Sequence, residues 1–362
     1  MTPDLPAELW RVVFEVGEFS LNDLLSIRAV CRMWRHVCRS LVVCGDDPTD
    51  DATLQRIPSV AGVLDCAGPR LFGGMKTLAI LVWPQIRIRP FGVNAHTLQV
   101  IDVFFGMPPN GSSWTESDMR DIFASCVNLE TCRILGMRVE HSARPCKVAL
   151  PRRLRTLRLM ASSTTGSGSL RWPLNAWRNL GALTSLSLTK WCGAVAAWCE
   201  LLQRLPLLTC FSASHCPHFD DKVCDLLFHH CVKLRYANIS DASGVLHPRV
   251  LLFGAGAMDH LEFLRLDRDG DFETAVPISV NDMLSSAEHA AFPSQRFPRL
   301  TKLSLRGYRA DPAGLIEFLT ALPKLRHVGY YCNPQLFRSI EAELQRRLPS
   351  IKLDAVLQGI SM

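Results

Sequence analysis

The sequence predicts an α/β chain in which a short N-terminal three-helix segment precedes a solenoid, a curved parallel sheet with helical or irregular returns. Two observations predict this architecture. Apolar residues near the N-terminus recur at helical spacing, and the remainder repeats a leucine pattern at intervals of 25 to 29 residues. A hydrophobic content of 48% over 362 residues is sufficient for ordered cores in both parts.

The N-terminal segment, residues 5–37, has the pattern of three short helices. Ser20 precedes Asp23 by three positions, so its hydroxyl can cap a second helix while the carboxylate lies near the positive end of the helix dipole. A third apolar stripe follows at residues 30–38. The first helix carries its apolar face on Leu9, Val12, Val13 and Val16.

The long remainder repeats the pattern Leu-x-x-Leu-x-Leu. Each unit is expected to place a short strand and then a return, and neighbouring units share one core because a single unit cannot bury its own apolar face. The spacing is that of leucine-rich repeats, and residues 195–206 and 220–231 are predicted helical returns. Unsubstituted copies start at Leu154, Leu183, Leu261 and Leu300, and copies with other apolar residues start at Leu98, Leu129, Leu208, Leu234 and Leu325.

The predicted organisation is a helical domain at 1–42, a junction at 43–59 and the repeat solenoid at 60–362. The junction contains turn residues and four aspartates between positions 45 and 55. Alternating Leu78, Ile80 and Val82 indicate an early strand of the array. Residues at about 267–297 are rich in Asp, Gly, Pro and Ser, which predicts a surface excursion between two repeats.

Composition limits the classes of function. A formal charge of +6 is too small and too dispersed for a nucleic-acid binder. The sequence has no membrane-length apolar run and no signal peptide, which predicts a protein of the cytoplasm or nucleus without membrane contact. In that reducing compartment the fourteen cysteines are expected to be free thiols that act as small hydrophobic residues.

The sequence contains no recognisable catalytic motif, and the two segments that resemble metal sites lack the required ligand spacing. The His and Cys residues of 215–231 lack a Cys-x-x-Cys pair, and Cys216 falls on the turn position of its repeat. The aspartates of 267–271 resemble a calcium loop, but the twelfth position from Asp267 is Ile278 instead of a bidentate acid. We therefore expect neither an enzyme nor a bound cofactor or metal.

Residues 5–37 resemble the F-box from end to end. The resemblance rests on Leu5-Pro6 with Glu8, on Asp23-Leu24-Leu25, and on Val30-Cys31 followed by Trp34. With the repeats that follow, the chain is similar to F-box/leucine-rich-repeat proteins. The resemblance implies an F-box that docks on the adaptor Skp1, and repeats that hold a protein substrate for ubiquitin transfer by an SCF-type cullin-RING ligase. Such a subunit is not itself catalytic.

The candidate Skp1-binding residues are apolar side chains that three short helices cannot cover alone, because a segment of about 40 residues has little core. Trp34 is either an interface anchor or a packing residue between helices, and both interpretations stay open. The candidates are Leu5, Pro6, Leu24, Leu25, Val30 and Trp34.

The candidate substrate-binding residues occupy outward slots between buried leucines, on the predicted concave face. Arg133, Arg158 and Arg265 share one slot of their repeats, which suits capture of carboxylate or phosphate, although a solvated arginine face is the alternative. Tyr236 and Phe263 lie on adjacent repeats, where outward aromatic rings either anchor a peptide or pack under a loop.

A second class of function is a leucine-rich-repeat scaffold or inhibitor that acts outside a ubiquitin ligase. Its front helices would only cap the first repeat, so their outer surface would be polar. A docking element would retain apolar residues that its own core cannot bury. The number of apolar positions in residues 5–38 favours docking.

Overall fold

The computed structural model describes the central and C-terminal parts of the chain in two compact units, which lie within Met1–Ala182 and Leu183–Met362. The predicted helical domain at 1–42 and the junction at 43–59 lie outside the described residues. These residues are 77–82, 95–105, 113–114, 116–139, 148–161, 170, 172–174, 177–241, 258–267, 276–278, 297–305, 308–310, 312–330 and 334–355.

The described part of the first unit is a parallel sheet with one α-helix. Its strands have the order β1–β2–β4–β5, and β3 pairs beside β4. The strand predicted from Leu78, Ile80 and Val82 is confirmed as β1. The elements are β1 Thr77–Val82, β2 Val100–Phe105, β3 Ser113–Trp114, α1 Glu116–Ser125, β4 Thr131–Val139 and β5 Thr156–Ala161.

The second unit contains a longer parallel sheet. Its elements are β6 Ser185–Thr189, α2 Val195–Leu202, β7 Cys210–Ser214, α3 Asp221–His230, β8 Tyr236–Ser240, β9 Phe263–Arg265, β10 Val276–Ile278, β11 Lys302–Leu305, β12 Tyr308–Ala310, α4 Pro312–Thr320, β13 His327–Tyr330, α5 Pro334–Arg347 and β14 Lys352–Ala355. The sheet has the order β6–β7–β8–β9–β11–β13–β14, and these strands pair in parallel.

The helical returns predicted in the second unit are confirmed as α2 and α3. The insertion predicted at about 267–297 stays a prediction, and its end residues Asp267 and Phe297 are buried. It also contains β10, which pairs in parallel with β12 as a separate two-stranded sheet. The sequence did not predict this strand, because it contains Pro277 and proline is rare within sheets.

The core follows the leucine pattern. Each described side chain at a pattern position is at most 6% exposed, from Leu98 in the first unit to Val328 in the second. In β6 and β7 the buried residues alternate with partly exposed ones. The predicted burial of the pattern positions is therefore confirmed, because alternate residues of a strand point to opposite faces.

Successive repeats share the same backbone connections. The N–H of Leu234 donates to the Cys231 carbonyl at 2.9 Å, which closes a turn just before β8. The Thr209 carbonyl then accepts from both Arg235 and Tyr236, at 2.8 and 3.1 Å. The same turn precedes β4, β9, β11 and β13, so these strands enter the sheet with the same geometry.

Three strands of the second unit end in a left-handed residue that is not glycine. Lys190, His215 and Asp241 follow β6, β7 and β8 with φ angles of 60°, 54° and 54°. Each N–H donates to a carbonyl of the next repeat, and that of His215 bonds Ser240 at 3.0 Å. These bonds help to hold a backbone conformation that costs about 1–2 kcal/mol for an L-residue.

An aromatic cluster joins α2 to the buried face of the sheet. Trp198 on α2 lies 4.3 Å from Trp191 and 4.8 Å from Phe219, between ring centroids, and all three side chains are buried. Trp198 also contacts Phe211 of β7 at 6.1 Å. Gly193 lies so close that an added Cβ would come within 2.7 Å of three Trp191 ring atoms, so larger residues do not fit there.

Candidate binding face

The partly exposed strand side chains of the second unit form a surface that we call the open face. It is opposite the buried leucines because alternate residues of each strand point away from the core. Its first row runs across consecutive strands, about 4.8 Å apart, with the residues paired in register. This row contains Ser185, Cys210, Tyr236, Phe263, Lys302, His327 and Lys352.

Two aromatic residues occupy the middle of the first row. The rings of Tyr236 and Phe263 stack with centroids 4.4 Å apart and an interplanar angle of 7°. Beside them, Arg235 donates from its Nη2 to both Glu262 carboxylate oxygens, at 2.8 and 3.0 Å. The two predicted aromatic candidates are therefore brought together, and each ring packs on the other.

Basic side chains follow the aromatic pair along the row. Lys302 and Lys352 are exposed and His327 is partly exposed. Arg326, also exposed, precedes His327 in the chain. Within the part of the chain that the structure describes, these four side chains form no ion pair. This end of the open face therefore carries positive charge without a counter-ion from the described residues.

Sequence reasoning missed Lys302 and Lys352 as site residues, although the signal was present. Lys302 occupies the slot before Leu303 that Tyr236 and Phe263 occupy in their own repeats. Lys352 occupies the same slot before Leu353, whose register partner is the buried Val328. Extending the repeat frame to the last strand would have identified both lysines.

Arg265 lies in the second row of the open face and is held by a buried carboxylate. Its Nε donates to Asp267 Oδ2 at 2.6 Å, and Ser304 Oγ donates to Asp267 Oδ1 at 2.5 Å. The Asp267 side chain is 8% exposed, while that of Arg265 is 41% exposed. The two terminal guanidinium nitrogens form no bond within the described residues, so a fixed donor group faces solvent.

Arg133 and Arg158 lie in the first unit, where they are register partners on β4 and β5. Both are exposed. Arg133 Nη1 lies 3.4 Å from Asp102 Oδ2, and Asp102 Oδ1 is buried without a hydrogen-bond partner among the described residues. Two of the three arginines predicted to share a slot are thus adjacent, with one carboxylate beside them.

The six predicted Skp1-binding residues lie outside the described residues. Docking of Skp1 through them stays a prediction. They are Leu5, Pro6, Leu24, Leu25, Val30 and Trp34.

Four cysteines have the surroundings of core residues. Burial raises the pKa of the Cys126, Cys216 and Cys231 thiols to about 12. Burial also raises the pKa of Cys132. Cys231 Sγ lies 3.6 Å from the Leu205 carbonyl, and Cys216 Sγ lies 3.5 Å from that of Ser214. These thiols pack and donate weakly to backbone, as expected for small hydrophobic residues.

We expect these four thiols to resist alkylation in the folded chain. A pKa of about 12 leaves roughly one thiolate in 10⁵ at pH 7, and only the thiolate reacts. A short iodoacetamide pulse followed by mass spectrometry should modify the partly exposed Cys192, Cys199 and Cys210 first. The same pulse in urea supplies the full-labelling control. Equal rates for Cys216 and Cys210 in native buffer would contradict this expectation.

No protein-family model matches the chain, and a search of curated proteins finds no match. Among the helices that the structure describes, none is both long enough and apolar enough to cross a bilayer.

Proposed function

We propose that the chain is a non-catalytic substrate-recognition adaptor of an SCF-type ubiquitin ligase. Residues 5–37 dock a Skp1-type adaptor, and the leucine-rich repeats hold a protein substrate. The observation that carries the proposal is the F-box-like segment, with Leu5-Pro6, Leu24-Leu25 and Trp34, ahead of a repeating parallel sheet. The two features together indicate a function more specifically than either feature alone, because repeat sheets serve many functions.

The open face supports a binding role for the repeats. One side of the sheet is buried under helices such as α2, and the first-row side chains of the other side are partly or fully exposed. That side carries the stacked pair Tyr236 and Phe263 and the exposed cations Lys302 and Lys352. Tyr and Phe are enriched in protein interfaces, and exposed lysines steer and orient partners of opposite charge.

The test is complex formation with purified Skp1. We expect the full chain to elute with Skp1 as a one-to-one complex in size-exclusion chromatography. Changing Leu5, Pro6 and Trp34 together to alanine should weaken the complex at least tenfold, because these side chains would lie in the shared apolar surface. Circular dichroism would check that this variant stays folded.

A matched control removes exposed apolar side chains elsewhere. Val127, Leu207 and Val232 are 53%, 37% and 56% exposed and lie in turns of the repeats. Their triple alanine variant should retain Skp1. If the parent chain forms no complex, the adaptor proposal fails, and the repeat scaffold or inhibitor with a helical cap replaces it.

A further inference from the structure

Six neighbouring strands of the second sheet, β7, β8, β9, β11, β13 and β14, start after the same four-residue turn. In each turn the N–H of the fourth residue donates to the carbonyl of the first, at 2.9–3.4 Å. The third residue therefore has the same place in every turn, along the edge of the sheet where the strands begin. We call these third residues the turn row. They are Leu207, Lys233, His260, Arg299, Lys324 and Ser350.

Four neighbouring members of the turn row are basic and exposed. Backbone hydrogen bonds join their strands two residues further on, where the Glu262 N–H donates to the Arg235 carbonyl at 2.8 Å. Thr301 and Arg326 continue the same ladder, at 2.9 Å each. The basic residues therefore follow one another at about the strand spacing of 4.8 Å. They are Lys233, His260, Arg299 and Lys324.

The charges of these four turns favour an anionic partner. Counted with the residue that follows each turn, they contain five lysines and arginines and two acids. One acid, Glu262, binds Arg235 in a bidentate pair, and the other is Asp259. The remaining cations form no ion pair within the described residues. They are Lys233, Arg299, Lys324 and Arg326.

Acids on the neighbouring elements do not reverse this excess. Glu317 lies in the last turn of α4, and Asp354 lies on β14 two positions after Lys352. Even when both of them and Asp259 are counted, the four remaining cations are in excess along this edge. The edge is therefore complementary to a partner that brings negative charge.

The turn row begins beside exposed apolar side chains. Leu207 is 37% exposed, and Val232, next to Lys233 in the following turn, is 56% exposed. Among the described residues, the other large apolar side chain with such exposure is Val127 of the first unit. Leu207 and Val232 lie on adjacent turns, so they supply apolar contact area at the start of the line of cations.

The spacing of the turns fits an α-helix better than an extended chain. Consecutive turns are about 4.8 Å apart, so three spacings, about 14 Å, separate Lys233 from Lys324. Acids at helix positions i, i+3, i+7 and i+10 share one face and lie at about 0, 4.5, 10.5 and 15 Å along the axis. In an extended chain the side chains of one face recur at about 6.6 Å, so fewer of its acids meet a basic residue.

We propose that the turn row binds an α-helix of a protein partner that carries one line of acidic side chains, led by an apolar residue. The helix lies across the turns, with its apolar residue against Leu207 and Val232 and its carboxylates beside Lys233, Arg299 and Lys324. This edge is separate from the open face. The proposal therefore goes beyond the proposed function and does not depend on Skp1 docking.

Two other anionic surfaces compete with an acidic helix, namely single-stranded nucleic acid and an anionic bilayer. Proteins that bind single strands stack bases on aromatic rings, and membrane interfaces favour Trp and Tyr. The second and third positions of the six turns contain no Phe, Tyr or Trp. The edge therefore favours a protein partner, and both competitors are arms of the test.

The experiment measures fluorescence anisotropy of labelled 20-residue peptides with the full chain. The striped peptide has one Leu and then Glu at 3, 7, 10 and 14 positions later, in an Ala/Gln background that favours helix. A scrambled peptide of the same composition spreads its Glu over all faces, and a third peptide adds a central proline to break the helix. We expect the striped peptide to bind at least fivefold more tightly than either control. Vesicles with phosphatidylserine and dT12 are the competing ligands.

Charge-reversal variants connect binding to the turn row. Lys233→Glu combined with Lys324→Glu should weaken the striped peptide at least tenfold, because two attractive contacts become repulsive. Lys190→Glu combined with Lys222→Glu is the matched control with the same change of net charge, since Lys190 follows β6 and Lys222 lies near the start of α3. The control should change affinity less than twofold. Thermal melts of each variant check folding.

An apolar variant separates this proposal from the adaptor role. Leu207→Ala combined with Val232→Ala should weaken the striped peptide severalfold and leave the Skp1 complex intact. Skp1 binding without peptide binding refutes the turn row alone. Peptide binding without Skp1 refutes the adaptor role and leaves the turn row standing.

Several results would overturn the inference. They are no striped peptide bound at millimolar protein, equal affinity for the scrambled or the proline peptide, and equal loss for the two charge-reversal variants. Tighter binding of vesicles or dT12 than of the striped peptide, lost in Lys233→Glu with Lys324→Glu, would assign the edge to a membrane or a nucleic acid instead.

Discussion

Replacing Trp198 by alanine should lower the free energy of unfolding of the second unit by about 3–5 kcal/mol. The side chain is fully buried, and its ring meets Trp191, Phe211 and Phe219. Alanine would leave a large cavity between α2 and the sheet, and the surrounding rings can fill it only in part. Urea unfolding followed by circular dichroism measures the loss.

Trp198→Phe is the matched control. The indole Nε1 of Trp198 is buried without a hydrogen-bond partner in the described structure. Phenylalanine has a smaller ring and also lacks this unsatisfied donor, whose burial costs about 1–3 kcal/mol. We therefore expect less than half the loss seen with alanine. Equal losses for the two variants would mean that ring volume does not decide stability at this position.

Replacing Asp267 by alanine should cost about 1–3 kcal/mol. The carboxylate is buried and accepts from Arg265 Nε and Ser304 Oγ, on two neighbouring strands. Alanine would leave the Ser304 hydroxyl without its acceptor and release the Arg265 guanidinium. The half-exposed guanidinium can hydrate, which keeps the cost below that of a fully buried broken pair. Thermal unfolding of the second unit measures the change.

A double-mutant cycle with Arg265→Ala isolates the pair. We expect a coupling free energy of about 1 kcal/mol between Arg265 and Asp267, because the two side chains are in direct contact. Asp267→Asn provides the conservative comparison, since its amide oxygen can still accept from Ser304. Additive effects of Arg265→Ala and Asp267→Ala would exclude a stabilising interaction between them.

Burial along the repeats could be predicted from the sequence because it is periodic. The frame that begins at Leu154 or Leu183 predicts which residues are buried, and strand geometry then places the intervening side chains outward. The helical returns were predictable for the same reason, since the apolar residues of α3 follow helical spacing. The repeat frame alone is sufficient to place Tyr236 and Phe263 on adjacent strands.

Side-chain pairing could not be predicted, because it depends on contacts between repeats of unequal length. Ser304 and Asp267 are 37 positions apart, and Arg235 and Glu262 are 27 apart. Composition does not indicate which acid meets which base over such separations. The pairing of β10 with β12 could not be predicted either, because β11 lies between them in the chain.

The shared backbone connections make the second unit modular. Strands β7, β8, β9, β11 and β13 enter through the same turn, and among the described residues each pairs with the strands beside it, so these interactions are those of nearest neighbours. A whole repeat could be duplicated or removed while the remaining strands keep the same type of turn and pairing. Each duplication or removal would change the distance between the side chains on its two sides by one strand spacing along the open face. The number of repeats therefore sets the distance between the aromatic and basic groups.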